Sequence, residues 1–195
     1  MPSQPNLVLA SASPRRQNLL ATLGLHFLVR PVDLDETPHP AEPPALYVRR
    51  LAEEKAAARI LPGELVLAAD TTVVLDGEIL GKPGDPAEAR AMLSRLTGRE
   101  HTVLTGVAVE QLGRERRTVV ESTRVRIAAL EAEEVAWYVA TGEPMDKAGS
   151  YAVQGIGAMF VEAVQGDYTN VVGLPLPATR RLFAEAGYDL KDFRR

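Results

Sequence analysis

Three kinds of side chain in this sequence sit where ordinary core or surface residues would not. The first is an arginine pair. Ser13 is a suitable N-cap and Pro14 a suitable first helical residue, so Arg15 and Arg16 fall in the first turn of a helix. That end of a helix already carries partial positive charge and unpaired N–H groups, and each added cation costs about 0.3–1 kcal/mol there. A phosphate-like anion seated on the turn would remove the cost; two arginines reaching into solvent is the other reading. The second is Asp70, a carboxylate closing the apolar run Leu65-Val-Leu-Ala-Ala at the C-terminal end of a strand, where α/β sheets bind ligands. The third is lysine. Of 22 basic residues eighteen are arginine and four lysine, and three of the four (Lys55, Lys82, Lys147) stand in or beside unusual local sequence. A coding bias toward arginine, with the lysines placed by chance, accounts for the same count.

The elements that must position these groups follow from periodicity and punctuation. A buried strand over 7–10 leads into a helix from Pro14 to Leu23 stopped by Gly24, and His26–Val29 reads as a second strand. Residues 31–44, rich in Pro, Asp and Glu, form a loop carrying Asp33, Asp35 and Glu36. Such a loop is either simply solvated, or closes over the arginines, or holds a metal. The spacing predicts a helix over 44–61 in which Tyr47, Leu51 and Lys55 share one stripe. That stripe either delivers Lys55 to a cleft edge or lets its stem run along the core boundary. The Asp70 strand continues through Thr71–Leu75, turns at Asp76-Gly77 and returns over 78–80. Gly81-Lys82-Pro83-Gly84 then makes a rigid elbow. Pro86–Leu96 and Glu131–Ala140 read as helices around a long hairpin, 101–109 with 117–127. Residues 143–157 are irregular and polar, with Asp146 and Lys147 adjacent, so that they do not pair along a helix face. Gln154 presents its amide there. Met159–Val164 and Tyr168–Val172 read as a last strand pair, and Pro175–Ala186 as the closing helix.

The chain has 195 residues, 46% hydrophobic and 25% charged, enough to bury roughly 70% of its unfolded surface in one domain, residues 1–195, or two intimately packed lobes around a cleft. With no cysteine, disulfides and thiolate metal sites are excluded. No basic-then-apolar leader and no apolar run near 18 residues is present, so cytoplasmic residence without membrane contact is expected. A formal charge of -4 argues against a protein that coats nucleic acid.

Taken in order, Ser-Ala-Ser-Pro-Arg-Arg, Ala-Asp-Thr-Thr-Val, Gly-Lys-Pro, Asp-Lys-Ala-Gly and Val-Gln-Gly closely resemble the Maf family, septum-formation-related nucleoside triphosphate pyrophosphatases, from Leu7 to Pro177. The resemblance implies an α/β fold with a mixed, elongated β-sheet flanked by helices and a central cleft, similar to that of inosine triphosphatases. It also implies divalent-metal dependence, frequent homodimers, and hydrolysis of a nucleoside triphosphate to monophosphate and pyrophosphate. It makes Asp70 the proton acceptor. Ser11, Ser13, Arg15, Arg16, Lys55 and Lys82 become triphosphate ligands, with Glu36, Asp146 and Lys147 as further substrate-binding residues. Arg15, Thr71 and Gln154 take the form of the dTTP/UTP branch, whereas a 7-methyl-GTP branch carries Trp, Gln and Glu there.

The chemistry is consistent with those expectations. A triphosphate needs forked arginine contacts, compact lysine charges and a metal. Many carboxylates, no cysteine and scattered histidines favour a hard cation, Mg²⁺ or Mn²⁺, with Asp70 and Glu36 as its candidate ligands; Asp70 is open to either role, base or ligand. The expected function is pyrophosphate release from dTTP and UTP as nucleotide housecleaning, with a link to septum formation. The alternatives are a nucleotide-binding cell-division regulator with incidental hydrolysis, a 7-methyl-GTP pyrophosphatase, and a nucleotidyltransferase, against which the absence of a Gly-rich first loop counts.

Overall fold

In a computed structural model of the chain, residues 4–194 are described. The strands are β1 (Asn6–Leu9), β2 (Leu28–Val29), β3 (Glu64–Leu75), β4 (Glu78–Leu80), β5 (Glu100–Gln111), β6 (Arg117–Ile127) and β7 (Val161–Gln165). The helices are α1 (Pro14–Thr22), α2 (Pro44–Ala57), α3 (Pro86–Leu96), α4 (Ala132–Ala140), α5 (Tyr168–Val172) and α6 (Leu176–Glu185), with 3-10 turns at Glu143–Asp146, Ala148–Ser150, Gly155–Phe160 and Leu190–Phe193. The strands form one sheet in the order β2-β1-β3-β5-β6-β7, with β4 added on β3. Parallel β1–β2 and β1–β3 pairs and antiparallel β3–β4 and β6–β7 pairs make it mixed. This is the α/β class expected.

Two compact units divide the chain: residues 1–70, 105–121 and 173–195, and residues 71–104 and 122–172. β3, β5 and β6 therefore each contribute to both.

In the first unit the alternation of side chains along a strand sorts two cores. Leu7, Leu9, Leu65, Leu67 and Ala69 pack with Leu20 of α1 and Leu182 and Phe183 of α6. Their neighbours in sequence, Val8, Ala10, Val66 and Ala68, pack with Ala108 of β5 and with Ala52 and Ala56 of α2. The second of these cores is built from small residues, which lets α2 lie close on the sheet. Gly106 marks the closest approach, because a Cβ there would overlap the Val48 carbonyl and lie 2.9 Å from the Arg49 nitrogen.

The second unit has its own core, in which Val73, Leu75 and Leu80 meet Leu93 and Leu96 of α3 and Val135 and Tyr138 of α4. Asp76 and Gly77 both have positive φ, 53° and 85°, as a two-residue hairpin on a right-twisted ribbon requires.

Several expected elements differ. Asp70 lies inside a twelve-residue strand rather than at a strand end, because β-branched Thr71–Val74 continues it and β4 supplies an antiparallel partner. α2 ends at Ala57, and the strand expected over 26–29 keeps only Leu28 and Val29. Tyr168–Val172 is helical, not a strand. Its β-branched composition is overruled by Asp167, whose Oδ1 accepts both the Thr169 N–H and hydroxyl at 2.7 Å, and by Asn170, which is buried and donates to the Val103 carbonyl and Thr123 Oγ1. The expected partner strand begins at Val161, with Met159 in the preceding 3-10 turn.

Candidate active site

Because Val66, Ala68 and Asp70 share one face of β3, the face on which α2 lies, the carboxylate at position 70 must meet α2. The helix meets it with Lys55. Tyr47, Leu51 and Lys55 form the expected stripe and all three are buried. Lys55 (6% exposed) donates to Asp70 Oδ1 at 2.7 Å, and Asp70 is itself 7% exposed. The same ammonium donates to Glu36 Oε1 at 2.5 Å. The acidic loop therefore contributes a carboxylate to the cluster and is not merely solvated; Glu36 stays about half exposed. An ammonium desolvated to this degree requires such partners.

The arginine turn belongs to the same neighbourhood. Ser13 caps α1 by accepting from the Arg16 N–H at 3.5 Å, and the first turn holds no acidic residue. Ser11 is buried, and its hydroxyl accepts from the Ser13 N–H (3.2 Å) and from Arg16 Nη1 (3.1 Å). Arg16 Nε donates to the Gly173 carbonyl at 2.7 Å. Burial pushes the Arg16 guanidinium below its ordinary pKa; Asp70 acts against this, Arg15 acts with it, and Glu36 also opposes it. These mutual influences place Arg15, Arg16, Glu36 and Asp70 in one electrostatic group, joined by Lys55. Arg15 is half-buried. The result is a helix start with two cations, next to a lysine held by two carboxylates.

Polar contacts that the sequence did not disclose hold the Glu36 loop. Tyr47 donates its hydroxyl to the Glu36 carbonyl at 2.9 Å. Burial, with Asp70 and Glu36, pushes that hydroxyl up to about 12, so it remains a donor. Arg50 forks onto Glu42 (Nε–Oε1 2.7 Å, Nη2–Oε2 2.8 Å) and reaches the Thr37 carbonyl at 3.3 Å. The fork holds the Glu42 carboxyl at about 2, well below its ordinary range. An i, i+3 or i, i+4 search along α2 would not find partners in a loop before it.

The other residues implied by the resemblance lie in the second unit. Thr71 follows Asp70 on β3 and is half-buried. Lys82 is exposed on the elbow, beside the buried Pro83. The Gly149 N–H donates to the Gly81 carbonyl at 3.0 Å, which ties the Lys82 loop to the segment following Lys147. Lys147 Nζ donates to the Glu143 carbonyl (2.5 Å) and to Asp146 Oδ1 (2.6 Å). Adjacent Asp146 and Lys147 therefore pair, though not along a helix face. No helix face is involved: the turn ends at Asp146 and Lys147 is extended, so the long side chain folds back.

Gln154 is exposed, just before a 3-10 turn that is stapled by a residue the sequence did not single out. Glu143 accepts from Tyr138 Oη (2.7 Å) and from the N–H groups of Ile156 (2.9 Å) and Gly157 (2.8 Å), while Tyr138 Oη accepts from the Ala152 N–H at 3.2 Å. Burial raises the Glu143 pKa, but those N–H donors, Tyr138 and Lys147 outweigh it and leave the carboxyl below its ordinary value. The glycines at 155 and 157 are the legible trace of this staple, since a Cβ on either would run into Glu143 or Tyr138.

The Maf family profile, described as Maf-like protein, matches residues 6–186. A protein named dTTP/UTP pyrophosphatase from Anaeromyxobacter dehalogenans (strain 2CP-1 / ATCC BAA-258) is 56% identical over 190 residues, 95% of this chain and 96% of that one. One of the same name from Myxococcus xanthus (strain DK1622) is 55% identical over 189 residues, 96% of this chain and 95% of its own. Among solved structures, the Staphylococcus aureus Ham1 protein superposes with a TM-score of 0.51 at 17% identity, covering 80% of this chain and 79% of that one, a likeness of fold alone.

Proposed function

This chain belongs to the Maf family, and from that premise we propose that it hydrolyses nucleoside triphosphates, preferring dTTP and UTP, to the monophosphate and pyrophosphate. The observation that carries the proposal is the Lys55 ammonium between Asp70 and Glu36, in one electrostatic group with the Arg15-Arg16 helix start.

Chemically, the α1 N-terminus takes phosphate oxygens on its N–H groups, and Arg16, oriented by Gly173 and Ser11, is a cation that needs no rearrangement to meet them. Asp70 accepts the proton of the attacking water, its carboxylate oriented by Lys55. The new bond forms from that water oxygen to phosphorus, the α–β anhydride bond breaks, and pyrophosphate leaves with the electron pair. Ser11, Ser13 and Arg15 serve as further phosphate contacts. The roles of Lys82, Asp146 and Lys147 in binding, and of Arg15, Thr71 and Gln154 in choosing the base, are proposed on the resemblance.

A divalent cation fits the donor set. Among the described residues no three His, Cys, Asp or Glu side chains converge to hold a metal alone, whereas Mg²⁺ is commonly held by one or two carboxylates together with substrate phosphates. Asp70 and Glu36 are the pair that would hold Mg²⁺ or Mn²⁺, which when bound neutralises phosphate charge. Among the described residues no helix is long and apolar enough to cross a membrane. A homodimer is carried as a proposal from the resemblance, tested by light scattering.

The test is a panel of dTTP, UTP, the other common triphosphates and 7-methyl-GTP with Mg²⁺, read by product. Pyrophosphate with dTMP or UMP is expected. Orthophosphate, or preference for 7-methyl-GTP, overturns the reading.

A further inference from the structure

The loop that brings Glu36 to Lys55 has almost nothing apolar to hold it. Val32 packs against the small-residue core, but residues 35–41 are exposed throughout. Ordering a loop costs backbone entropy, so a carboxylate at 2.5 Å from a buried ammonium needs something else to keep it there. The candidates are all on one helix. Tyr47 holds the Glu36 carbonyl, and Arg50 holds both the Thr37 carbonyl and, through its fork, Glu42. Glu42 in turn closes the loop on itself, accepting the His39 N–H at 3.0 Å, while its own N–H donates to the His39 carbonyl at 3.0 Å. The Arg50 guanidinium also lies over the Tyr47 ring, 5.7 Å from its centroid, so the two anchors brace each other. Five residues further along the same helix is Lys55.

We propose that Arg50 is a positioning residue for the active site: forked onto Glu42 and bonded to Thr37, it latches the 36–42 segment to α2 and thereby sets the Glu36 carboxylate against Lys55 and Asp70. Arg50 touches none of the reacting groups itself. The inference rests on the proposed participation of Glu36 in triphosphate hydrolysis, and the latch itself can be measured without activity.

Two readouts test it. In Arg50→Met, amide hydrogen exchange at His39 and Glu42 should quicken by about tenfold or more while the melting temperature of the whole protein changes little. The variant Glu42→Gln, which frees the same fork from the loop side and leaves α2 intact, should do the same. In pyrophosphate release, Arg50→Met should lower kcat by about 10- to 100-fold, the scale of a misplaced catalytic group, with a smaller change in KM. Arg50→Lys should recover only part of the loss, since a lysine keeps the charge but not the fork. The same Arg50→Met change made in a Glu36→Gln background should cost little more, because two residues acting through one contact are not additive. Unchanged exchange in both variants overturns the latch. Quickened exchange with additive losses overturns its role in the active site. Wild-type protein that releases no pyrophosphate overturns the functional reading while the exchange data still decide the latch.

Discussion

In the proposed reaction the central residue is Lys55, which links a buried strand carboxylate to a loop carboxylate at distances of 2.7 and 2.5 Å. Replacing Asp70 by Asn keeps the shape of this contact but removes the proposed base. The expected result is a kcat lowered by about 100- to 10,000-fold, the range for general base catalysis, with nucleotide binding retained in calorimetry. Arg15 and Arg16 should separate in the same assays. Arg16→Ala removes a cation already bonded to Gly173 and Ser11, and should raise KM for every triphosphate alike. Arg15→Trp, which installs the residue of the 7-methyl-GTP branch, should shift the preference among nucleotides more than the overall rate. Equal effects of the two substitutions across the panel would refute the division of roles.

α2 is the element that assembles the site, and its position depends on how near it lies to the sheet. Ala52, Ala56, Ala68 and Ala108 leave little side-chain volume between helix and strands, and Gly106 faces the α2 backbone where even a methyl group would overlap it. Gly106→Ala should therefore cost about 1–3 kcal/mol, as overpacking does, and should lower kcat as well, because a helix pushed outward carries Lys55 from Asp70. Urea unfolding and turnover measured on one preparation would check both. Intact activity at reduced stability would mean that the helix yields elsewhere. Arg30 forks onto Glu64 at 2.6 and 2.7 Å beside the start of β3. It holds that buried carboxyl below its ordinary range, aided by the Leu61 N–H.

For the molecule as a whole, acid stability should be governed by a residue remote in sequence from the motifs. His101 is buried, its Nε2 2.8 Å from the Tyr151 hydroxyl, and burial holds its pKa down to about 4 from 6.5. Tyr151 is itself pushed up by burial and stays neutral. The folded state thus binds fewer protons than the unfolded chain between pH 6.5 and 4, so stability present above 6.5 is lost as pH falls through that window. Between pH 7 and pH 5 the loss from this residue is about 2 kcal/mol. Urea midpoints at the two pH values should show it, and His101→Gln, which can still bond Tyr151 but does not titrate, should abolish most of the difference. Glu42 adds a further loss at lower pH: its pairing is intact above about 4.5 and fades as pH falls toward 2.

The local features were legible in the sequence because local rules control them. Examples are the Ser13-Pro14 helix start, the α3 boundaries at Pro86 and Leu96, the Asp76-Gly77 turn, and the stripe of Tyr47, Leu51 and Lys55. The ordered motifs were equally legible and carried the family resemblance. What only the tertiary structure decided is which distant groups meet. A face of β3 was readable by parity, but that α2 covers it, and that Lys55 therefore reaches Asp70, depends on small residues in three separate elements. Tyr168–Val172 has the composition of a strand and is a helix because Asp167 and Asn170 find partners there, two of them, Val103 and Thr123, far off in the chain. Nothing in the sequence around Arg50 and Glu143 names their partners, since a charged side chain shows its partner only when the fold has chosen one. Sequence spacing specifies a turn or a stripe through bond geometry; a long-range contact is specified by the packing of everything between its two ends.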